Sequence, residues 1–574
     1  MFCIGRAVAR LVLVALLLVA QSAEAAHPHA ERGTGGAVAS SERAATEVGL
    51  LVLRAGGNAA DAAVATALAL AVVYPVAGNL GGGGFAVMRF GQEVAALDFR
   101  ETAPAEATRD MYLGPDGEPD RQRSWIGPLA AGVPGSPAGL FELHRRYGRL
   151  EWRQVVAPAL SLAEQGFTVS DRLSREIEGD VELLQRFPET ASVWLPGGAP
   201  PAAGSTMKLP KLASTLRAYA EDGPRALTEG VLADAIEAAS LRHGGILRAD
   251  DLAAYRAVWR EPVVFEAFGW RFASMPLPSS GGIVIGQSLA LLERLGWGDH
   301  ERFGADRAHV LAEVWRRAYA DRFLMGDPKT SGANQAQLLE PEWLDRRAQE
   351  IELARATPSS VVRPWSEDEV YEPAATTHLS VVDGHGNAVS LTTTLNGRFG
   401  CGLLVPELGI LLNNEMDDFS VAPQRANEWG LIQGEANAIG PGKRMLSSMA
   451  PTVAWQGSEL IVLGARGGSK IPTSVAQVFV NIVVDGEELQ AAVNRPRLHH
   501  QWLPDALLAE LDALSPDTIR VLEQRGHEVR VMRGALSRAN TKVNVVRFLE
   551  GGRVEAAADP RGPAVAGVVT PDPR

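Results

Sequence analysis

Between Gly57 and Phe90 the chain changes texture twice. Asn58 and Asp61 lead an Ala/Val/Leu-rich run to Val73 that is apolar on nearly every side, Pro75 stops it, and Phe85 to Phe90 is short and apolar. This pattern predicts a helix, a glycine turn and a strand, and a helix without a polar face must be buried. The turn is Gly81-Gly82-Gly83-Gly84. A phosphate loop would need a following Lys-Ser/Thr and a helix instead of a strand, so close backbone packing is the expected role of these glycines.

From Trp152 to about Asp327, Leu, Ala and Val recur at helical spacing, interrupted by the Pro/Gly-rich stretches Pro196 to Gly204 and Pro276 to Gly282. This part reads as a helical scaffold. After Pro373 the texture becomes β-rich, with strands expected at Leu379 to Val382, Ala388 to Thr394, Ile410 to Leu412, Thr452 to Trp455 and Leu460 to Leu463. A helix is expected at Pro472 to Val484, and β-like pieces around Val529 to Val531 and Lys542 to Phe548. Helices and strands in both halves predict a layered α/β architecture. No Pro/Ser-rich linker or long charge run divides the middle of the chain, so one intertwined unit is as consistent as several domains.

The ends and the charge narrow the class. Arg6 and Arg10 precede an apolar run from Leu11 to Ala20, and the small-x-small pattern ends at Ala25. That is the form of a cleaved signal peptide over residues 1–25, and the run is about half the roughly 20 residues a membrane anchor needs. A periplasmic or secreted protein without a stable membrane anchor is expected. Cys3 leaves with the signal, so Cys401 alone remains and no intramolecular disulfide can form. With 574 residues, 46% of them hydrophobic, the chain can bury a large core, and a net charge of −13 argues against a nucleic-acid partner.

Familiar nucleophile and metal patterns are missing. There is no Gly-x-Ser-x-Gly elbow, and Ser205-Thr206-Met207-Lys208 has no Ser-Asp-Asn companion. His499-His500 stands without a helical His-Glu-x-x-His arrangement or nearby Cys ligands. No metal or cofactor is implied.

The segment Thr376-Thr377-His378-Leu379-Ser380-Val381-Val382-Asp383, continuing through Asn387-Ala388-Val389 to Thr394-Leu395-Asn396, closely resembles the start of the small subunit of γ-glutamyltransferases. Further matches run along the mature chain: Gly56-Gly57-Asn58-Ala59-Ala60-Asp61-Ala62, Asp98-Phe99-Arg100-Glu101, Gly132-Val133-Pro134-Gly135, Pro278-Ser279-Ser280-Gly281-Gly282, Tyr319-Ala320-Asp321-Arg322, Asn413-Asn414-Glu415-Met416-Asp417-Asp418-Phe419, Ser447-Ser448-Met449 and Gly467-Gly468-Ser469. Many ordered matches are far more specific than one motif.

The resemblance implies an N-terminal-nucleophile hydrolase with a four-layer αββα fold and a self-cleavage between Ala375 and Thr376. A large subunit (26–375) and a small one (376–574) would form a heterodimer from one precursor. Thr376 would be the nucleophile and Thr394 the residue whose hydroxyl supports it. Gly467 and Gly468 match the oxyanion site, although Arg466 stands where familiar members carry proline. Arg100, Ser447 and Ser448 match a clamp for the substrate's α-carboxylate; Asn396, Glu415 and Asp418 match the side that holds its ammonium. Pro423 to Pro441 resembles a lid loop, with Trp429 at the place of an aromatic gate. The substrates implied are γ-glutamyl compounds such as glutathione, with amino acids or peptides as acceptors.

The residue chemistry agrees with these roles. An amide nitrogen cannot serve as a base, whereas a free α-amine titrates at about 7.7–8.0, so cleavage would create a base beside the hydroxyl. An arginine fork with hydroxyls suits a carboxylate, and carboxylates favour a cation. Two rivals stay open: an acylase of the same family acting on glutaryl amides, whose substrate has no ammonium, and an unprocessed γ-glutamyl-peptide binder.

Overall fold

In a computed structural model of the chain, residues 29–331, 335–362, 376–421, 433–533, 541–562 and 564–570 are described. The signal segment, Ala375 and Trp429 lie outside them.

Two seven-stranded sheets form the centre. One runs in the order Val565–Val568, Gly36–Ser40, Thr376–Asp383, Ala388–Thr394, Gly83–Phe90, Glu93–Phe99, Val258–Arg260. The other runs Glu31–Gly33, Arg553–Ala558, Lys542–Leu549, Glu459–Arg466, Thr452–Gln456, Trp270–Ser274, Val263–Ala267. Every pairing within them is antiparallel. The sheets face each other, with helices such as Ala59–Val73 and Ser136–Tyr147 outside the first and Gly281–Arg294 and Lys470–Val483 outside the second. The expected four αββα layers are therefore present. Each sheet contains strands from both before and after position 376, so neither part could complete a sheet alone.

Alternation along the strands sets the layers. In Thr376–Asp383, Leu379 and Val381 join the core under the helices, while His378 and Ser380 point toward the second sheet, where Ser380 Oγ donates to Asn544 O. Thr376 shares the inward face. The buried helix is Ala59–Val73; the Asn58 side chain caps it, and Asp61 accepts from the Asn58 N–H to complete a capping box. Every residue of that helix is buried.

The tetraglycine is packing, as expected. A Cβ at Gly81 would lie 2.0 Å from Leu411 O, and one at Gly82 would lie 2.2 Å from Thr394 O. The reading of Trp152 to Asp327 as helical scaffold needs correction. Val258–Arg260, Val263–Ala267 and Trp270–Ser274 are strands, and they add edge or near-edge members to both sheets. Among the described residues no helix is long and apolar enough to cross a membrane.

Candidate active site

The hairpin Thr376–Asp383/Ala388–Thr394 sets the geometry. At its turn the Asp383 carboxylate accepts from the backbone N–H groups of His385 (2.9 Å) and Asn387 (3.0 Å). With the register fixed there, Thr376 comes directly opposite Thr394 at the other end. Asn79 ties that end down: its Nδ2 donates to Thr393 Oγ1 (3.0 Å) and to Thr394 O (2.8 Å). The Thr394 hydroxyl accepts from the Asn396 N–H at 2.8 Å, and Asn396 has a left-handed φ of 67°, which asparagine tolerates better than most residues.

The second sheet supplies the facing wall. Its Glu459–Arg466 strand ends in Gly467 (φ 133°) and Gly468 (φ 58°), and the helix Lys470–Val483 begins directly after Ser469. Both glycines use the positive-φ region that side chains disfavour. Gly468 and Ser469 line the same pocket as Thr376 and Thr394. Backbone donors at a helix N-terminus, beside a threonine, suit a developing oxyanion. Deeper between the sheets, His378 packs where a Cβ on Gly464 would lie 2.3 Å from its Cε1, and burial pushes its pKa down to about 3. It is a neutral spacer, bonded to Thr392 Oγ1 (2.8 Å) and Ser380 Oγ (2.9 Å).

Arg466 extends the strand as the partner of Lys542 and turns its guanidinium away to the Tyr74 hydroxyl. Arg172 Nη2 donates to the same hydroxyl at 2.9 Å, and Glu176 lies 3.8 Å from Arg466. This buried network sits behind the glycine pair, so the arginine's charge enters it instead of the pocket.

The residues matched to substrate recognition by the resemblance also converge. Arg100, Asn396, Glu415, Asp418, Ser447 and Ser448 all line this pocket. Their arrangement differs from the expected separation into a carboxylate side and an ammonium side. Arg100 bonds directly to both Glu415 and Asp418, with Glu101 3.7 Å away. Burial works to strip the Arg100 proton, but these acids outweigh it and hold its pKa above the ordinary value. Burial also raises Glu101 to about 7 and lifts Glu415 well above the usual carboxylate range. The Arg100 backbone is held by Asp98, which accepts its N–H at 2.9 Å, and by the Tyr255 hydroxyl, which donates to Arg100 O at 2.7 Å.

The serine pair rests on the first half of the chain. Ser280 N donates to Ser447 O (2.9 Å), and Ser447 N donates to Pro278 O (2.8 Å). A Cβ on Gly281 would lie 2.8 Å from Met449 O, which explains that glycine. Sequence reasoning assigned no role to Asn79, Ser469 or Arg322, although Arg322 belongs to a quoted motif and lines the pocket. Elsewhere, His309, Glu313 and His527 lie close enough to suggest a metal site. Glu313 is already bonded by Arg316 and Arg317, and His309 by His527 and Glu352 O, so they form a neutralised polar network.

Two antiparallel sheets between helical layers, with a strand-end threonine facing a glycine turn of the opposite sheet, are the framework of N-terminal-nucleophile hydrolases. The cephalosporin acylase from Bacillus halodurans has this fold: it matches with a TM-score of 0.82 at 27% identity, covering 94% of this chain and 97% of that one. The family is narrower than the fold. A profile described as Gamma-glutamyltranspeptidase matches residues 45–569, and the chain belongs to that family. It is 43% identical to the glutathione hydrolase proenzyme of Escherichia coli strain K12, over 93% of this chain and 91% of the relative. It is 40% identical to the proenzyme of the same name from Pseudomonas aeruginosa, over 94% and 95%.

Proposed function

We propose that this chain is a glutathione hydrolase and γ-glutamyltransferase, made as a precursor that cuts itself between Ala375 and Thr376 into a large and a small subunit. The supporting observation is the meeting of Thr376 and Thr394 with Gly468, Arg100 and Asp418 in one pocket. In the cut, the Thr376 hydroxyl attacks the Ala375 carbonyl, the peptide C–N bond breaks with a proton passing to nitrogen, and water hydrolyses the resulting ester. The new Thr376 amine is then the base.

In turnover the amine takes the Thr376 hydroxyl proton as the oxygen attacks the γ-carbonyl. Backbone N–H groups of Gly467 and Gly468 receive the oxyanion, and the proton passes to the departing amine as the ester forms. Water or an acceptor amine then attacks the ester and restores Thr376. Arg100, Ser447 and Ser448 hold the α-carboxylate, while Asn396, Glu415 and Asp418 hold the ammonium. The zwitterion thus enters an ion-pair cluster of matching charges. The amino-terminal pattern supports export to the periplasm.

Incubation with glutathione and a dipeptide, with products identified by mass and the protein run on a denaturing gel, tests this. Two bands, released glutamate and a γ-glutamyl dipeptide are expected. One full-length band with no product would leave the binder reading standing instead.

A further inference from the structure

Two arginines line the pocket, and their surroundings are unlike. Arg100 is in direct contact with two carboxylates, with a third 3.7 Å away. Arg322, the last residue of the helix Ala305–Arg322, is equally sequestered, with 2% exposure. Its partners are hydroxyls: Nε donates to Ser280 Oγ at 3.0 Å and Nη2 to Ser448 Oγ at 3.4 Å. Among the described residues the hydrogen bonds of this guanidinium come from Nε and Nη2, and no carboxylate is in direct contact with it, although Asp418 acts on it from farther away. Burial correspondingly lowers its pKa to about 10.

A desolvated cation without a directly paired counter-charge is costly, and holding two serines does not require a cation. A neutral amide could donate to the same hydroxyls. What the charge adds is attraction for an anion, and the group that enters this pocket in the reading above is an α-amino acid. Arg322 also controls the direction of a neighbouring donor. By donating to Ser448 Oγ, it occupies a lone pair of that oxygen and leaves the hydroxyl proton available to the pocket.

We propose that Arg322 is a specificity-determining residue: with the Ser448 hydroxyl it holds, its Nη1 binds one oxygen of the substrate's α-carboxylate, sharing that anion with Arg100. This rests on the γ-glutamyl reading. It gives the two arginines different duties. Arg100 bridges carboxylate and acids, while Arg322 supplies a charge with no carboxylate in direct contact.

The test compares kcat/KM for γ-glutamyl p-nitroanilide and γ-aminobutyryl p-nitroanilide, which keeps the ammonium and lacks the α-carboxylate. It is run on matured wild type, Arg322→Gln and Arg322→Lys. Glutamine keeps a donor for the serines and drops the charge; lysine keeps the charge. Arg322→Gln should lose about a hundredfold on the γ-glutamyl compound and less than about threefold on the other, with lysine between wild type and glutamine. Equal losses on both substrates would mean that Arg322 only supports the serines, and the proposal falls. If the glutamine variant stays uncut, lysine decides: preference kept within about tenfold of wild type supports the charge role, and preference lost overturns it. Wild type without preference for the γ-glutamyl compound would instead overturn the α-carboxylate site itself.

Discussion

Thr376 and Thr394 are direct partners in the antiparallel register of the two central strands, and the Asp383 turn at the far end of their hairpin fixes that pairing. The relationship gives the proposed nucleophile its place ahead of the proposed cut. Thr376→Ala is expected to remain a single uncut chain without activity, whereas Thr376→Ser should still cut, because the hydroxyl is the indispensable group. Denaturing gels and amino-terminal sequencing check this. Two subunits cut at the same bond in the alanine variant would remove Thr376 from the nucleophile role.

Arg100 carries a structural load beside the binding role proposed for it. Arg100→Ala should raise KM for γ-glutamyl substrates strongly, and it also strips the counter-charge from buried Glu415 and Asp418. Breaking a buried pair this way costs about 3–5 kcal/mol, so the denaturation midpoint should fall too. Unchanged KM in a matured variant would place Arg100 outside the binding site.

Asp418 is the test of ammonium recognition. Wild type should favour a γ-glutamyl anilide over the matching glutaryl anilide by orders of magnitude, since sites built around a polar group can reject its absence by about 10⁴-fold. Asp418→Ala should lose most of that preference, chiefly through the γ-glutamyl compound. Equal handling of the two substrates by wild type would move the assignment to the acylase reading.

The network behind the glycine pair should matter to rate more than to binding. Tyr74→Phe deletes the hydroxyl shared by Arg172 and Arg466. If that network steadies Gly467 and Gly468, kcat should drop severalfold with KM little changed. The full loss of an oxyanion donor, about 10²–10³-fold, is the upper bound. A shift confined to KM would assign the network another task.

Acid stability should report on Asp559, buried between Arg497 (2.7 Å) and Arg561 (3.0 Å). Burial opposes its ionisation, but the two arginines prevail and lower its pKa from 3.8 to about 2. The folded value lies below the unfolded one, so the contribution is present above about 3.8 and is lost as pH falls through about 2. It is on the order of 2 kcal/mol. Asp559→Asn should be less stable than wild type at neutral pH, and urea midpoints of the two should draw together between pH 4 and pH 2.

Local sequence determined the pieces whose physics is local. The Asn58/Asp61 capping box and the all-round apolar run made the buried helix legible, as did the β-rich alternation from Leu379 to Thr394 and the turn-forming glycines at the end of Glu459–Arg466. The resemblance further named the residues that would share a pocket. Only the tertiary structure decided how their charges meet. Arg100 bonds to acids more than three hundred positions away, and Arg322 is left facing hydroxyls. The strands between Val258 and Ser274 were likewise hidden in a stretch of helical texture. Two of them, Val258–Arg260 and Trp270–Ser274, are supported by pairing with distant strands, and an ion pair's protonation depends on the burial and neighbours that folding provides; neither is encoded in a short window of sequence.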